Sequence, residues 1–190
     1  MNATLLTGII ITSVILLGFY GIYAGLIRKK NKVSEAFASI DVQLKKRYDL
    51  IPNILKIAKK YMEHERGLLE DITKLRTEAL ELASGNNMDK KLELDKEIQG
   101  LMGRLTVAVE NYPELKADQT MVQAQKTYAE VEEHISAARR FYNAAVLELN
   151  NAVEIFPSSL VAVLINVRKQ VFFEIDEAER KPINADQHLN

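Results

Sequence analysis

The 190-residue chain carries 25 basic and 26 acidic residues, three histidines and no cysteine. The two signs nearly cancel and no basic stripe is interleaved with aromatics, which argues against a nucleic-acid binder. Missing cysteine excludes thiol chemistry, and the length allows one domain with a sizeable core beyond an anchor.

The first element is residues 5–27, LLTGIIITSVILLGFYGIYAGLI, which contain no charge. As a helix rising about 1.5 Å per residue, this run spans the roughly 30 Å hydrocarbon core of a bilayer. It is too long for a signal-peptide apolar region, and neither a basic run before it nor a small-residue cleavage site accompanies it. An uncleaved transmembrane helix is expected. Arg28, Lys29, Lys30 and Lys32 follow directly, placing residues 1–4 outside and the rest in the cytoplasm by the positive-inside bias. These four are also the expected contacts for anionic lipid, because a surface field fades within about 10 Å. Lys45, Lys46 and Arg47 would sit roughly 25 Å farther along the helix. Gly18, Gly21 and Gly25 share one helical face, and small residues at that spacing let two membrane helices approach closely. Glycine is also common in membrane helices without pairing them.

Val33, Phe37, Ile40, Leu44, Tyr48 and Ile51 recur at steps of three and four, so the helix should continue out of the membrane. Pro52 predicts a kink or break near 48–52. The pattern resumes through Leu55, Ala58, Met62, Glu65, Leu69, Ile72, Leu75, Ala79 and Leu82, with Gly85 as its stop. One long kinked helix is the preferred reading, because DLIPN lacks the glycine chemistry of a reversal. Asp49 as the cap of a new helix would mark the alternative.

A second helix is expected over about 88–112, with Leu94, Ile98, Leu101, Leu105, Ala108 and Tyr112 inward, and ENYPELKAD as the following loop. The third has the longest periodicity, about five coiled-coil-like heptads: Met121, Ala124, Tyr128, Val131, Ile135, Ala138, Tyr142, Ala145, Leu149, Ala152 and Phe156. Phe156-Pro157 closes it. SSLVAVLINV should form a short helix capped by Ser158 or Ser159. It either folds over the bundle or offers a contact to another chain, continued by Val171, Phe172 and Phe173. The polar tail after Asp176 is expected to be disordered.

The fold class is therefore all-α: a transmembrane helix, then an antiparallel bundle of three long helices, the first kinked near Pro52, plus a short C-terminal helix. The divisions are 1–4 outside, 5–27 in the membrane, 28–176 as the bundle and 177–190 as the tail.

Motifs for chemistry are scarce. His64, His134 and His188 are preceded at three positions by Tyr61, Val131 and Ala185, so the Glu-x-x-His pattern of a dimetal bundle is missing. HExxH, phosphate-loop, dinucleotide and nucleophile-elbow patterns are missing too. Neither a metal, a cofactor nor a catalytic residue is assigned. The polar residues singled out are Arg47, Asp49, Asn53, Glu110, Asn111, Arg139, Arg140 and Asn143. A buried unpaired charge is costly, so Arg139 or Arg140 is expected to pair across the bundle with Glu110 or Glu63, in a structural network that includes Arg47. Candidate self-association residues are Gly18, Gly21 and Gly25 in the stem, with Leu160, Val163, Leu164, Val167, Phe172 and Phe173.

DVQLKKRYDLIPN (41–53), the His64-Glu65 pair, ENYPELKA (110–117), AARRFYNAAV (137–146), Phe156-Pro157 and FFE (172–174) resemble the LemA family of bacterial membrane proteins. The likeness runs from about Val33 to Glu174, with Phe37 where a tryptophan is frequent, and the tail after Asp176 outside it. The resemblance implies an N-terminal membrane helix in a bacterial inner membrane, a cytoplasmic helical domain and no established enzymatic activity. A magnetosome-membrane protein belongs to the family, and members often sit in genomes beside a membrane zinc protease. The expected function is a non-enzymatic, membrane-anchored scaffold that forms homo-oligomers and organises membrane or membrane proteins. The alternative is an adaptor presenting substrates to a membrane protease or quality-control partner.

Overall fold

The computed structural model describes residues 3–82 and 88–173. Six helices, and no strand among those residues, follow in order: α1 (Ala3–Ala58), α2 (Arg66–Leu82), α3 (Met88–Val109), α4 (Pro113–Ala117), α5 (Gln119–Glu154) and α6 (Ser158–Leu164). The chain divides into two compact units, Met1–Ala36 with Arg139–Asn190, and Phe37–Ala138. The expected stop at Gly85 and the tail 177–190 lie outside the described residues.

In the unit Phe37–Ala138, α1 buries Ile40, Leu44, Tyr48, Ile51 and Ala58 as the three-four spacing predicts, with Ile54 inward where Leu55 is expected. α2 packs on α3, with Leu69, Ile72 and Ala79 facing inward from α2 and Ile98, Met102, Leu105 and Val109 from α3.

The single kinked helix expected through Leu82 is instead two helices, and the break between them is not at Pro52. α1 runs through that proline and ends six residues later, and a turn over 59–65 separates it from α2. Proline has no N–H for the carbonyl four residues back, here that of Tyr48. Arg76 of α2 supplies the missing donor, its Nε bonding the Tyr48 carbonyl oxygen at 2.7 Å. The helix passes its proline because a neighbour satisfies the freed acceptor.

The turn itself is fixed from the α3–α5 connection. The Tyr61 hydroxyl donates to Asp118 Oδ2 at 3.1 Å, the Tyr112 hydroxyl donates to Glu65, and Met62 is buried beneath. Asp118 also caps α5, its Oδ1 accepting from the amides of Thr120 (2.8 Å) and Met121 (3.2 Å). These amides, Met121 first, and the Tyr61 hydroxyl hold the Asp118 carboxyl below its ordinary range. Between Asn111 and Asp118 the expected loop contains the one-turn helix α4, with Pro113 at its start and Leu115 buried.

In the other unit, α5 buries Tyr142, Ala145, Val146 and Leu149. An extended segment, 167–173, is strapped along it by two asparagines one heptad apart. Asn150 bonds both backbone groups of Gln170, at 2.9 and 3.0 Å. Asn143 does the same to Phe173, at 2.8 and 3.0 Å. The Tyr142 hydroxyl donates to the Val171 carbonyl, and its ring meets Phe173 edge-on at 5.1 Å. The buried seam of α5 does not extend to Phe156, which lies past the helix end and is exposed. Neither serine caps α6. Ser158 is its first residue and donates to the Ile155 carbonyl at 2.8 Å.

Candidate functional site

The buried polar centre lies within Phe37–Ala138. Positions 40, 44, 47, 51, 54 and 58 form the inward stripe of α1, so Arg47 occupies a slot its neighbours fill with apolar residues, and it has no exposed surface. On α3 the buried positions are 94, 95, 98, 102, 105 and 109, which brings Asp95 inward in the same way. Arg47 forms an ion pair with Asp95 and donates from Nη1 to Glu132 of α5 at 2.8 Å. Its guanidinium also lies 5.7 Å from the centre of the Tyr48 ring.

One fixed charge thus meets two carboxylates from two further helices, which offsets the cost of burying it. Burial pushes the neighbouring Tyr128 hydroxyl well above the ordinary phenol range, with the Arg47 charge acting against that rise. Arginine keeps its proton under all ordinary conditions, so this cluster can fix helix register but cannot use that group for proton transfer.

These partners correct the expected network. Asp95 and Glu132, not Glu63 or Glu110, hold the buried arginine. Glu110 pairs with Lys116, and Glu63 is exposed in the turn. Arg139 is half-buried with its guanidinium 5.8 Å from the Phe173 ring centre, and Arg140 is exposed. His64 and His134 are exposed, and His188 lies outside the described residues. Among the described residues no group of three or more His, Asp or Glu could hold a metal ion.

The second candidate is the surface of the unit containing the stem. From Ala3 to Gly21 every residue of α1 is exposed, while Ile22, Ala24, Gly25 and Leu26 become partly or fully covered. The apolar window of α1 has mean hydropathy 2.2 and none of it is buried by the chain. A side chain added at Gly18, Gly21 or Gly25 would meet nothing. Beyond the stem, Lys32 bonds Glu148 at 2.9 Å and Lys29 approaches it at 3.6 Å. Lys32 is the chief cause of the lowered Glu148 carboxyl. Arg28 and Lys30 remain exposed.

The remaining candidate contact residues separate. Val167 and Phe173 are buried in their own unit, so they are core. Leu160, Val163, Leu164 and Phe172 are exposed, as are Ile155, Phe156 and Val171.

Against known proteins, the LemA family model matches residues 36–186. The match extends past Asp176, so the tail, expected to fall outside the likeness, is part of it. The chain is 26% identical over 178 residues to protein LemA of Metamycoplasma hominis, covering 90% of this chain and 80% of that one. It is 22% identical over 173 residues to magnetosome protein MamQ 2 of Paramagnetospirillum magneticum, and 20% identical over 173 residues to magnetosome protein MamQ of Magnetospirillum gryphiswaldense. Each of these alignments covers 79% of this chain but only 64% of the magnetosome protein. With most of its length matched by the family model, the chain belongs to the LemA family.

Proposed function

We propose that this protein is a single-pass, membrane-anchored scaffold without enzymatic activity, which self-associates and organises membrane or membrane proteins. The observation carrying this reading is the uncovered stem: an apolar helix exposed on all faces from Ala3 to Gly21, with an open glycine face at Gly18, Gly21 and Gly25. The basic residues after it favour a cytoplasmic helical domain with antiparallel long helices at a bacterial inner membrane, the N-terminus outside. The buried Arg47 cluster supports a stiff domain and offers no proton-transfer group at its arginine.

The test is the assembly state of the full chain in mild detergent by mass photometry. Uniform oligomers that fall to monomers in a Gly21→Ile/Gly25→Ile variant are expected. A wild-type monomer at high concentration would sink the proposal. The adaptor reading draws on a groove in Phe37–Ala138, lined by Val42, Leu44, Tyr48, Ala79 and Leu80 together with the charged Asp41 and Lys45. Its mark would be binding of extended apolar peptide that a Leu80→Glu substitution abolishes.

A further inference from the structure

We infer that α6 and the corner before it form a second membrane contact, an interfacial element that lies on the same lipid surface the stem crosses. This rests on the stem being a membrane helix.

Three observations within one unit lead there. The first is level. The Lys32 ammonium lies 6.0 Å from the Phe141 ring and bonds Glu148, while Lys29 also approaches Glu148. Going from Phe141 to Glu148 along α5 therefore goes back along α1, toward the stem. From Glu148 to the end of α5 at Glu154 the helix climbs about 9 Å more. Counted back along α1 from Lys29 and Lys32, that rise reaches the level of about Ala24–Leu26, which is where α1 passes from covered to fully exposed. The boundary of the lipid-facing stretch and the top of α5 coincide.

The second is direction. α6 is turned 93° from α5. With α5 alongside the stem, α6 lies across the stem axis, in the plane of the bilayer surface, as an interfacial helix does.

The third is the face it shows. Leu160, Val163 and Leu164, at i, i+3 and i+4, are 60%, 79% and 73% exposed, and Phe156 at the corner is 74% exposed beside Ile155. The opposite face, Val161 and Ala162, is buried. Arg28 and Lys30, exposed at the foot of the stem, supply the positive charge that suits anionic headgroups. A lipid surface accounts for the level, the tilt and the apolar face together. A second copy of the chain would require none of the first two.

The chain contains no tryptophan, so a single introduced one reports its own surroundings. Full-length Leu164→Trp and Phe156→Trp are placed in phosphatidylcholine/phosphatidylglycerol vesicles containing lipid brominated on the upper acyl chain. Leu17→Trp in the stem and Val107→Trp in the other unit serve as references. Expected is blue-shifted emission with strong bromine quenching at 164 and 156, quenching at 17, and none at 107. Quenching at 17 without quenching at 164 and 156 overturns the interfacial helix and leaves the anchor intact. A blue shift at 164 without quenching means that protein covers the face, which also overturns it. No quenching at 17 removes the anchor reading itself, and this inference with it.

Discussion

The two units treat polarity in opposite ways. Phe37–Ala138 turns charge inward, with Arg47, Asp95 and Glu132 at its centre and Tyr61–Asp118 and Tyr112–Glu65 fastening its turns. Its large exposed apolar residues, among those described, are Val42, Val107 and Val122, scattered singly as on ordinary surfaces. The unit containing the stem leaves its apolar side chains outside, from Leu5 to Tyr23 and again from Ile155 to Leu164. On the proposed reading, the first is the pattern of a domain surrounded by water and the second that of one surrounded partly by lipid.

That contrast can be broken at several points. The largest effect should come from Arg47→Met, which leaves the Asp95 carboxylate buried without its cation. A loss of about 3–5 kcal/mol is expected in denaturant unfolding followed by circular dichroism. Adding Asp95→Leu should recover much of it. A silent single substitution would mean that the inward charges do not hold the unit.

Next is the proline bypass. Arg76→Met should cost about 1–3 kcal/mol by leaving the Tyr48 carbonyl unsatisfied. In a Pro52→Ala background, which restores the missing N–H, the same substitution should cost little. Equal costs in both backgrounds would show that Arg76 acts elsewhere.

A smaller effect, confined to lipid, is expected from Leu160→Ser/Val163→Ser/Leu164→Ser. Amide exchange over 158–164 in vesicles should rise roughly tenfold, the equivalent of about 1.4 kcal/mol. The matching Val42→Ser/Val107→Ser/Val122→Ser variant should leave its own segments' exchange indifferent to lipid.

The smallest concerns the α5 cap. The lowered Asp118 carboxyl contributes stability that is complete above the unfolded value of about 3.9. That contribution is lost as the pH falls through the lower folded value. Asp118→Asn should keep the cap and flatten this acid dependence in melts at pH 2–5. An unchanged acid slope would remove Asp118 from the account.

How far the sequence was legible follows from what each feature depends on. The long apolar N-terminal helix, the inward stripe of α1 from Ile40 to Ile51 and the α5 seam from Met121 to Leu149 depend on local spacing, and their side chains are exposed, buried or half-buried as that spacing predicts. The spacing carries one helix from Val33 through Leu82, whereas the chain turns over 59–65, and the donor that carries α1 past Pro52 is Arg76, on another helix. The real end, at Ala58, had a local trace in the polar run Glu63–Arg66, but Met62 and Leu69 on either side kept the apolar rhythm going. Leu94, Ile98 and Leu105 are buried as their spacing predicts, but Met102 and Val109 are buried where Leu101 and Ala108 are expected, and Asp95 beside Leu94 is inward as well, which a stripe of apolar residues does not reveal. Arg47 was noticed, yet its partners lie 48 and 85 residues away. Asn143 stood out in the motif AARRFYN, but its task, pairing with the backbone of Phe173, needed the fold.

The most direct test of the contrast uses the missing cysteine, since each introduced one takes a single spin label. Labels at 156, 160, 163 and 164 are compared with labels at 42, 107 and 122, in vesicles, for collision with oxygen and with a water-soluble nickel complex. The account predicts high oxygen and low nickel accessibility at the first four and the reverse at the other three. Equal nickel accessibility in both sets would contradict it, because the apolar surface of the stem's unit would then face water like any other.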